Sequence, residues 1–276
     1  EHRLTISGTP IENHLCDLWA QMNFLNPGLL GNASFFRHHF ELPITKGKNE
    51  EKEEKLKKIT APFILRRTKE MVATDLPPIS YQTIYCPMAE EQKKLYEKEK
   101  SCYRNELWNK ETNSSLSAAT KFSTLQALTR LRLIANHPVL ADQTYSGASG
   151  KFDIVIERIC NIVSEGHKIL AFSSFVKDLA LISKELSQRQ MKHSILTGAT
   201  TNREDVIKEF NNDEKRCVFL ISLKAGGVGL NLTSADYVFI LNPWWNPQAE
   251  AQAINRSHRI GQTKNVFVYR FLSEEN

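Results

Sequence analysis

Residues 217–262 read CVFLISLKAGGVGLNLTSADYVFILNPWWNPQAEAQAINRSHRIGQ, and the fold follows from how this stretch divides. Cys217–Ile221 is a short apolar run that ends at Ser222. Lys224, Ala225, Gly226, Gly227 and Gly229 follow at once, and Tyr237–Leu241 is a second apolar run. A helix with clear punctuation comes next. Asn246 is a good N-cap, and Pro247 suits the first helical position, where its missing N–H costs nothing. Gly261 can close the other end. Across that helix Gln252, Arg256 and Arg259 fall at i, i+4 and i+7, so one face presents an amide and two guanidiniums. Such planar, permanently charged forks suit phosphate oxygens better than lysine does. Two arginines on an arbitrary helix are ordinarily a solvated face. Here glycines directly after a strand let backbone N–H groups approach an anion closely, which gives the arginines a phosphate-binding context.

Working outward, the carboxyl-terminal side alternates regularly. Phe152, Val155, Ile156, Ile159 and Val163 mark a helix that stops at Gly166, and residues 168–172 read as a buried strand. A helix over 176–190, a strand at 194–196, and a helix that ends near Phe210 with a Thr201–Glu204 capping box follow. Strands at 217–221, 237–241 and 266–271 complete the pattern. Alternating strands and helices predict an α/β fold, a parallel sheet with helices on both faces. Ligands in such sheets bind beyond the carboxyl ends of the strands. Ser173 and Ser174, Thr197 and Gly198, and the loop at Gly226 all fall there, with small hydrogen-bonding groups suited to a phosphate backbone. Arg203 reads equally as a surface charge. The sequence has no internal repeat.

The amino-terminal side is more helical. Residues 3–7 read as a strand, Gly8 as a turn and Pro10 as a helix start, with Leu15, Leu18, Trp19, Met22 and Leu25 on one face. A lone strand cannot satisfy its own backbone, so the chain reads as part of something longer. Phe35, Phe36 and Phe40 are core candidates. Lys46–Lys58, KGKNEEKEEKLKK, reads as a solvated helix or loop. Pro62–Lys69 gathers three cations behind an apolar run. Leu76-Pro77-Pro78 breaks the chain, and residues 80–86 alternate like an edge strand. Helices over 90–110 and 116–136 follow, and His137, a capping candidate, precedes Pro138. Residues 141–150 are the clearest linker. The division is therefore 1–75, a helical insertion or linker over 76–140, and an α/β domain over 141–276.

Length and composition allow one large or two modest domains: 276 residues, 41% of them hydrophobic. A charge of +5, from 36 basic and 31 acidic residues, is compatible with nucleic acid without demanding it. Five scattered cysteines with no Cys-x-x-Cys pair argue against a zinc site or disulfide framework and for a reduced compartment. No signal peptide or membrane-length apolar run is present, so the expectation is a soluble intracellular protein.

These residues carry a resemblance. Ser222–Asn231 (SLKAGGVGLN) resembles motif V of superfamily 2 helicase-like ATPases. Gln252-Ala253, Arg256, His258-Arg259 and Gly261-Gln262 resemble motif VI in its Swi/Snf-type form, for which the ending His-Arg-Ile-Gly-Gln is specific. Ser7-Gly8-Thr9-Pro10 resembles motif III, although Thr is commoner at the first position. The resemblance extends over nearly the whole chain. It implies a RecA-like second lobe, preceded by a mostly helical region and the end of a first lobe. It implies Arg256 and Arg259 as arginine fingers with Gln252 orienting the same face, and Gly227, Gly229 and Asn231 at the nucleotide. Ser222, Lys224, Gly226 and Trp245 join Ser173, Ser174, Thr197 and Gly198 on DNA, one tryptophan of Trp244-Trp245 being buried and the other facing DNA. Ser7, Gly8 and Thr9 would couple nucleotide state to DNA. Leu65–Lys69 would lie between the lobes and hold their orientation, and the helical block resembles the protrusions of remodelling ATPases.

Phosphoryl transfer needs a phosphate cradle, a magnesium site, a positioned water and positive charge at the γ-phosphate. The chain has no Gly-x-x-x-x-Gly-Lys-Ser/Thr and no Asp-Glu-x-His run. The resemblance places those, with Mg2+, in the first lobe before Ser7, so this chain alone is expected to be inactive, while the full enzyme, with its first lobe as partner, uses ATP to move along double-stranded DNA and acts on a protein bound to that DNA. Three departures stand out: Ser174 where Gln is frequent, and Asn242 and Asn255 where Asp is common. Short insertions favour a compact bacterial member acting at the nucleoid; a eukaryotic one would be nuclear. The rival readings are a strand-separating superfamily 2 helicase, for which no wedge hairpin is evident, and a binding module without ATPase function. A Rossmann dinucleotide domain lacks its Gly-x-Gly-x-x-Gly.

Overall fold

The computed structural model describes all residues except 1, 9, 12–13, 112–117, 226–229, 245 and 275–276, and their side chains except at 70, 106–111 and 118–122. It divides into two units, Glu1–Asp75 and Leu76–Asn276.

The first unit is helical. α1 (Cys16–Leu25) is followed by α2 (Ala33–Phe36), which runs through a π-turn at Arg37–Glu41 into α3 (Leu42–Thr45). Asn32 caps α2 by accepting the Phe35 N–H at 2.8 Å, as Asn49 caps α4 (Glu50–Thr60) by accepting from Lys52 at 2.9 Å. α5 (Lys69–Val72) ends the unit. Leu18, Met22, Leu30, Phe36, Phe40 and Leu56 form its core. Leu56 gives the charged 46–58 segment its apolar anchor, while Lys57–Glu53 and Lys58–Glu54 pair on the exposed side. Three expectations are corrected. Residues 3–7 form no strand, since strand structure requires a neighbour to pair with, and Leu4 and Ile6 stand 79% and 89% exposed. The first helix begins at Cys16, well past Pro10. Phe35 is exposed and stacks on His39, because Phe36 and Phe40, four apart, take the inward face.

The second unit is a six-stranded, all-parallel sheet with helices on both faces. Its elements are β1 (Ile79–Pro87), α6 (Glu90–Glu111), α7 (Ala118–Asn136), α8 (Gly150–Ser164), β2 (Ile169–Ser173), α9 (Val176–Gln188), β3 (His193–Leu196), α10 (Arg203–Asn212), β4 (Val218–Ser222), β5 (Tyr237–Ile240), α11 (Pro247–Ile254) and β6 (Val266–Glu274). The strand order is β1-β6-β5-β2-β4-β3. Neighbouring side chains in β2 alternate between faces. Ile169 and Ala171 pack under α8 and α9 with Ile159, Leu179, Ile182, Leu220 and Phe239. Leu170 and Phe172 pack on the other side with Phe210 of α10, Ala253 and Ile254 of α11, Phe219 and Val238. The central strands are buried on both faces, which is why they read as unbroken apolar runs.

β1 is an edge strand, paired with β6 from Ile79↔Val266 to Pro87↔Glu274. Residues 76–140 therefore contribute a strand to the same sheet and do not stand apart from 141–276 as a separate insertion. The 141–150 linker closes against that strand: Gly150 lies so near Pro87 that a Cβ would sit 1.9 Å from its carbonyl oxygen. His137 caps the short turn after α7 by accepting the Val139 N–H at 3.2 Å. The Thr201–Glu204 capping box does not form. α10 starts at Arg203 with Asn202 in the capping position and no side-chain cap, and the neighbouring Thr200 hydroxyl is taken by the Thr197 N–H at 3.0 Å.

Candidate nucleotide and DNA site

α11 begins as the sequence predicts, with the Asn246 Oδ1 accepting the Gln248 N–H at 2.9 Å and Pro247 in the first turn. It does not reach Gly261. The helix ends at Ile254, Asn255 being the C-cap, and the chain continues in turns. The helical face at i, i+4 and i+7 is thus corrected: Gln252 is on the helix, Arg256 and Arg259 are on the turn beyond it. The cause is a set of long-range bonds that draw the chain inward. Ser257, fully buried, donates its hydroxyl to the Ala235 carbonyl. Gln262 donates Nε2 to Thr233 O at 3.0 Å and Ala235 O at 2.9 Å, and its Oε1 accepts the Lys264 N–H at 2.9 Å. His258 Nε2 lies 2.8 Å from Pro77 O, and the Leu232 N–H donates to Arg256 O at 3.1 Å. With Ser257, His258 and Gln262 facing in, Arg259 and Ile260 face out.

Arg256 is half-buried and Arg259 exposed. Burial lowers the proton affinity of Arg256, and the charge of Arg259 lowers it further. The two guanidiniums therefore feel each other although they no longer share a helix. Both remain cations, because arginine stays protonated in proteins. Gln252 is half-buried and Asn231 exposed, its backbone carbonyl accepting from Asn211 Nδ2 at 3.3 Å.

At the strand ends the structure separates the expected DNA residues. Ser173 is fully buried, its hydroxyl bonded to Asn242 Oδ1 and, at 3.0 Å, to Asp178 Oδ2. Ser222 is buried too, and its Oγ accepts the Ala225 N–H at 3.4 Å. Neither side chain is presented to solvent, so the expectation that their hydroxyls meet a phosphate backbone is corrected. Ser174 is half-buried, its N–H donating to Asn242 Oδ1 at 3.2 Å. Thr197 is half-buried, its Oγ1 accepting from Ala199 N at 3.3 Å, and Gly198 and Lys224 are exposed. In the first unit Ser7 and Gly8 are exposed. Thr9, Gly226, Gly227, Gly229 and Trp245 lie outside the described residues.

Sequence reading missed a buried polar cluster behind these strand ends. Asp178 (5% exposed) accepts from Ser173 and from Asn242 Nδ2 at 3.2 Å. Lys151 (6% exposed) donates to Asn136 Oδ1 at 2.9 Å and lines one small cavity with Asn136 and Asp178. Burial raises the Asp178 pKa, which Lys151 opposes; burial lowers that of Lys151 to about 8, which Asp178 opposes. Asn242 now has a reason to be an amide: Nδ2 donates to Asp178, which a carboxylate could not do without placing two like charges together. Asp178 lies in the first turn of α9, where a carboxylate ordinarily reads as a solvated partner of the helix dipole. Nothing local distinguishes the two cases. Glu250, equally buried, accepts the Trp244 N–H at 2.9 Å and the Arg270 Nε–H at 3.0 Å.

Comparison with known proteins supplies the family. The SNF2-related domain matches residues 1–140, and the helicase conserved C-terminal domain matches residues 150–261. The chain belongs to the Swi/Snf-type family of ATP-dependent helicases. It is similar to an uncharacterized ATP-dependent helicase of Mycoplasma genitalium, 37% identical over 98% of this chain and 26% of that protein. It is 33% identical to the ISWI chromatin-remodeling complex ATPase ISW1 of Saccharomyces cerevisiae, over 100% of this chain and 25% of the other. Among solved structures, the Sulfolobus solfataricus SWI2/SNF2 ATPase core in complex with dsDNA matches with a TM-score of 0.61 and 38% identity, over 97% of this chain and 56% of that one. The chain thus spans about a quarter of the length of the curated relatives it matches. Swi/Snf-type relatives share the parallel α/β sheet described here. Among the described residues no group of three His, Cys, Asp or Glu could hold a metal ion, and no helix is long and apolar enough to cross a membrane.

Proposed function

We propose that this chain is the second lobe, with the end of the first, of an ATPase that moves along double-stranded DNA. The observation that carries the reading is the turn Arg256–Gln262, pinned by Ser257, His258 and Gln262 so that Arg259 projects into solvent beside a half-buried Arg256. A guanidinium carried on a pinned turn can meet charge developing on a transferred γ-phosphoryl group, and a finger of this kind contributes about 10³–10⁵ in turnover. Gln252 supports the same site from α11, and Gly227, Gly229 and Asn231 border the nucleotide. ATP and Mg2+ are bound in the full-length enzyme, whose first lobe supplies the phosphate cradle and the metal ligands. The chain described here therefore does not turn over ATP by itself. Ser7, Gly8 and Thr9 link that first lobe to DNA.

Duplex DNA lies along the exposed strand ends, against Thr197, Gly198, Ser174, Lys224, Gly226 and Trp245, with Ser173 and Ser222 shaping the loops from beneath. By their chemistry these groups suit phosphate and sugar rather than base edges, so binding is independent of sequence and steeply salt-dependent. A protein bound to that DNA is the further substrate, in the bacterial nucleoid or a eukaryotic nucleus. The test is ATP turnover by the full-length enzyme, with and without duplex, for wild type and Arg259→Ala. Stimulation by duplex that drops about 10³-fold or more in the variant supports the reading. Turnover indifferent to duplex or to Arg259 overturns it.

A further inference from the structure

Two segments leave adjacent strands at the carboxyl end of the sheet: residues 174–175 after β2 and residues 241–244 after β5. Between them sits a side chain from a third element. Arg132 of α7 places its guanidinium carbon 5.2 Å from the centre of the Phe175 ring and 5.2 Å from that of the Trp244 ring, and Nη2 donates to Pro243 O at 3.3 Å. One flat cation thus holds both loops at once. The contact is desolvated: burial pulls the Arg132 pKa below its ordinary value. In such surroundings a cation over an aromatic face is held more strongly than at an exposed site.

The same helix reaches these loops by a second route. Four residues on, Asn136 accepts from Lys151, which shares a cavity with Asp178, and Asp178 in turn holds Ser173 and Asn242. α7 is therefore attached to both loops through the Arg132 wedge and a buried polar chain.

We infer that Arg132 is a positioning residue that sets the Phe175 and Trp244 loops in the arrangement that receives duplex DNA, so that α7 controls how tightly DNA engages. The inference rests on the translocase reading proposed above for the DNA it names. The flat face of its guanidinium lies on the two rings and one N–H is committed to the Pro243 carbonyl, so its part is to hold the loops. Lysine should not replace it, because a compact ammonium cannot lie flat against two rings while donating in the same plane.

The test has two arms. In this chain, amide hydrogen exchange is followed at Phe175 and Trp244, whose N–H groups donate to Ser173 Oγ at 3.0 Å and Glu250 Oε1 at 2.9 Å. In the full-length enzyme, the duplex concentration for half-maximal ATP turnover is measured separately from the plateau. Arg132→Ala and Arg132→Lys are expected to speed exchange at both amides by about 30-fold while exchange in β4 stays as in wild type. Both are expected to raise the half-maximal duplex concentration about tenfold, with a plateau within about threefold of wild type. Exchange unchanged in Arg132→Lys overturns the wedge. Faster exchange with an unchanged duplex requirement makes Arg132 merely structural and also overturns the inference. A wild-type enzyme indifferent to duplex sinks the translocase reading instead, and is recognised because it needs no variant.

Discussion

Replacing Lys151 with Met tests the buried cluster. The folded chain keeps the Lys151 ammonium 6% exposed, with Asn136 Oδ1 at 2.9 Å. A fall of its pKa from 10.5 to about 8 corresponds to roughly 3 kcal/mol against the charged form. Removing the ammonium relieves that penalty but leaves Asp178 buried without its cation. Deleting one member of a buried pair costs about 3–5 kcal/mol net. The lower end, about 3 kcal/mol at pH 7, is expected here because Asp178 retains Ser173 Oγ at 3.0 Å and Asn242 Nδ2 at 3.2 Å. The pH dependence carries the sharper signature. Burial already raises the Asp178 pKa, and loss of Lys151 raises it further. Between its unfolded value of 3.8 and that raised folded value, the native state holds a proton that the unfolded state has released. Stability therefore falls as pH rises through that window and returns as pH drops, by at most about 1.4 kcal/mol per pH unit. The Lys151→Met deficit should be largest near neutrality and shrink as pH falls through that window toward 3.8. Adding Asp178→Asn should remove the pH dependence and show strong coupling in a double-mutant cycle. The assay is urea unfolding of the sheet, read by amide exchange in β2, across that pH range. A deficit below about 1 kcal/mol, or one that does not shrink as pH is lowered from 7 toward 3.8, refutes the buried pair.

Two further outcomes follow from single positions. Gly150→Ala places a methyl group 1.9 Å from the Pro87 carbonyl oxygen, so the α8 start must retreat from β1; we expect a loss of about 1–3 kcal/mol, seen as a lower melting temperature of the second unit. Lys224→Ala, at an exposed side chain, should leave melting unchanged. In the full-length enzyme it should reduce the slope of log binding constant against log salt by about one, for any duplex sequence.

Much of the sheet was legible because its evidence is local. β2, β4 and β5 are short runs of residues that all want burial, and each is followed by a helix or loop with its own punctuation. The edge character of β1 shows in its alternation, and Asn246-Pro247 announces α11. The arginine turn was not legible, for a non-local reason. Helical spacing from Gln252 onward is as good as before it, but Ser257 and Gln262 answer carbonyls at residues 233 and 235, outside any helical window. Residues 3–7 fail in the same way: their pattern suits a strand, but strand structure is a property of a pair.

Ser173 shows why the site was harder than the fold. A hydroxyl at the end of a strand looks the same in sequence whether it faces a phosphate or the interior. Here the choice is made by Asp178, five positions away, and by Asn242, sixty-nine positions away. Those two are themselves interdependent. A buried Asp178 tolerates an amide at 242 because Nδ2 can donate to it. A second carboxylate there would have to stay protonated or leave the interior. The departure at Asn242 from the commoner Asp thus reads less as a lost charge near the arginines than as one half of a matched pair. Its other half, Asp178, is balanced by Lys151, and Lys151 is held by Asn136 of α7. The chain of dependence runs from a helix that sequence reading set apart as an insertion to the loops at the strand ends. A substitution in α7 can therefore reach those loops without touching either nucleotide or DNA.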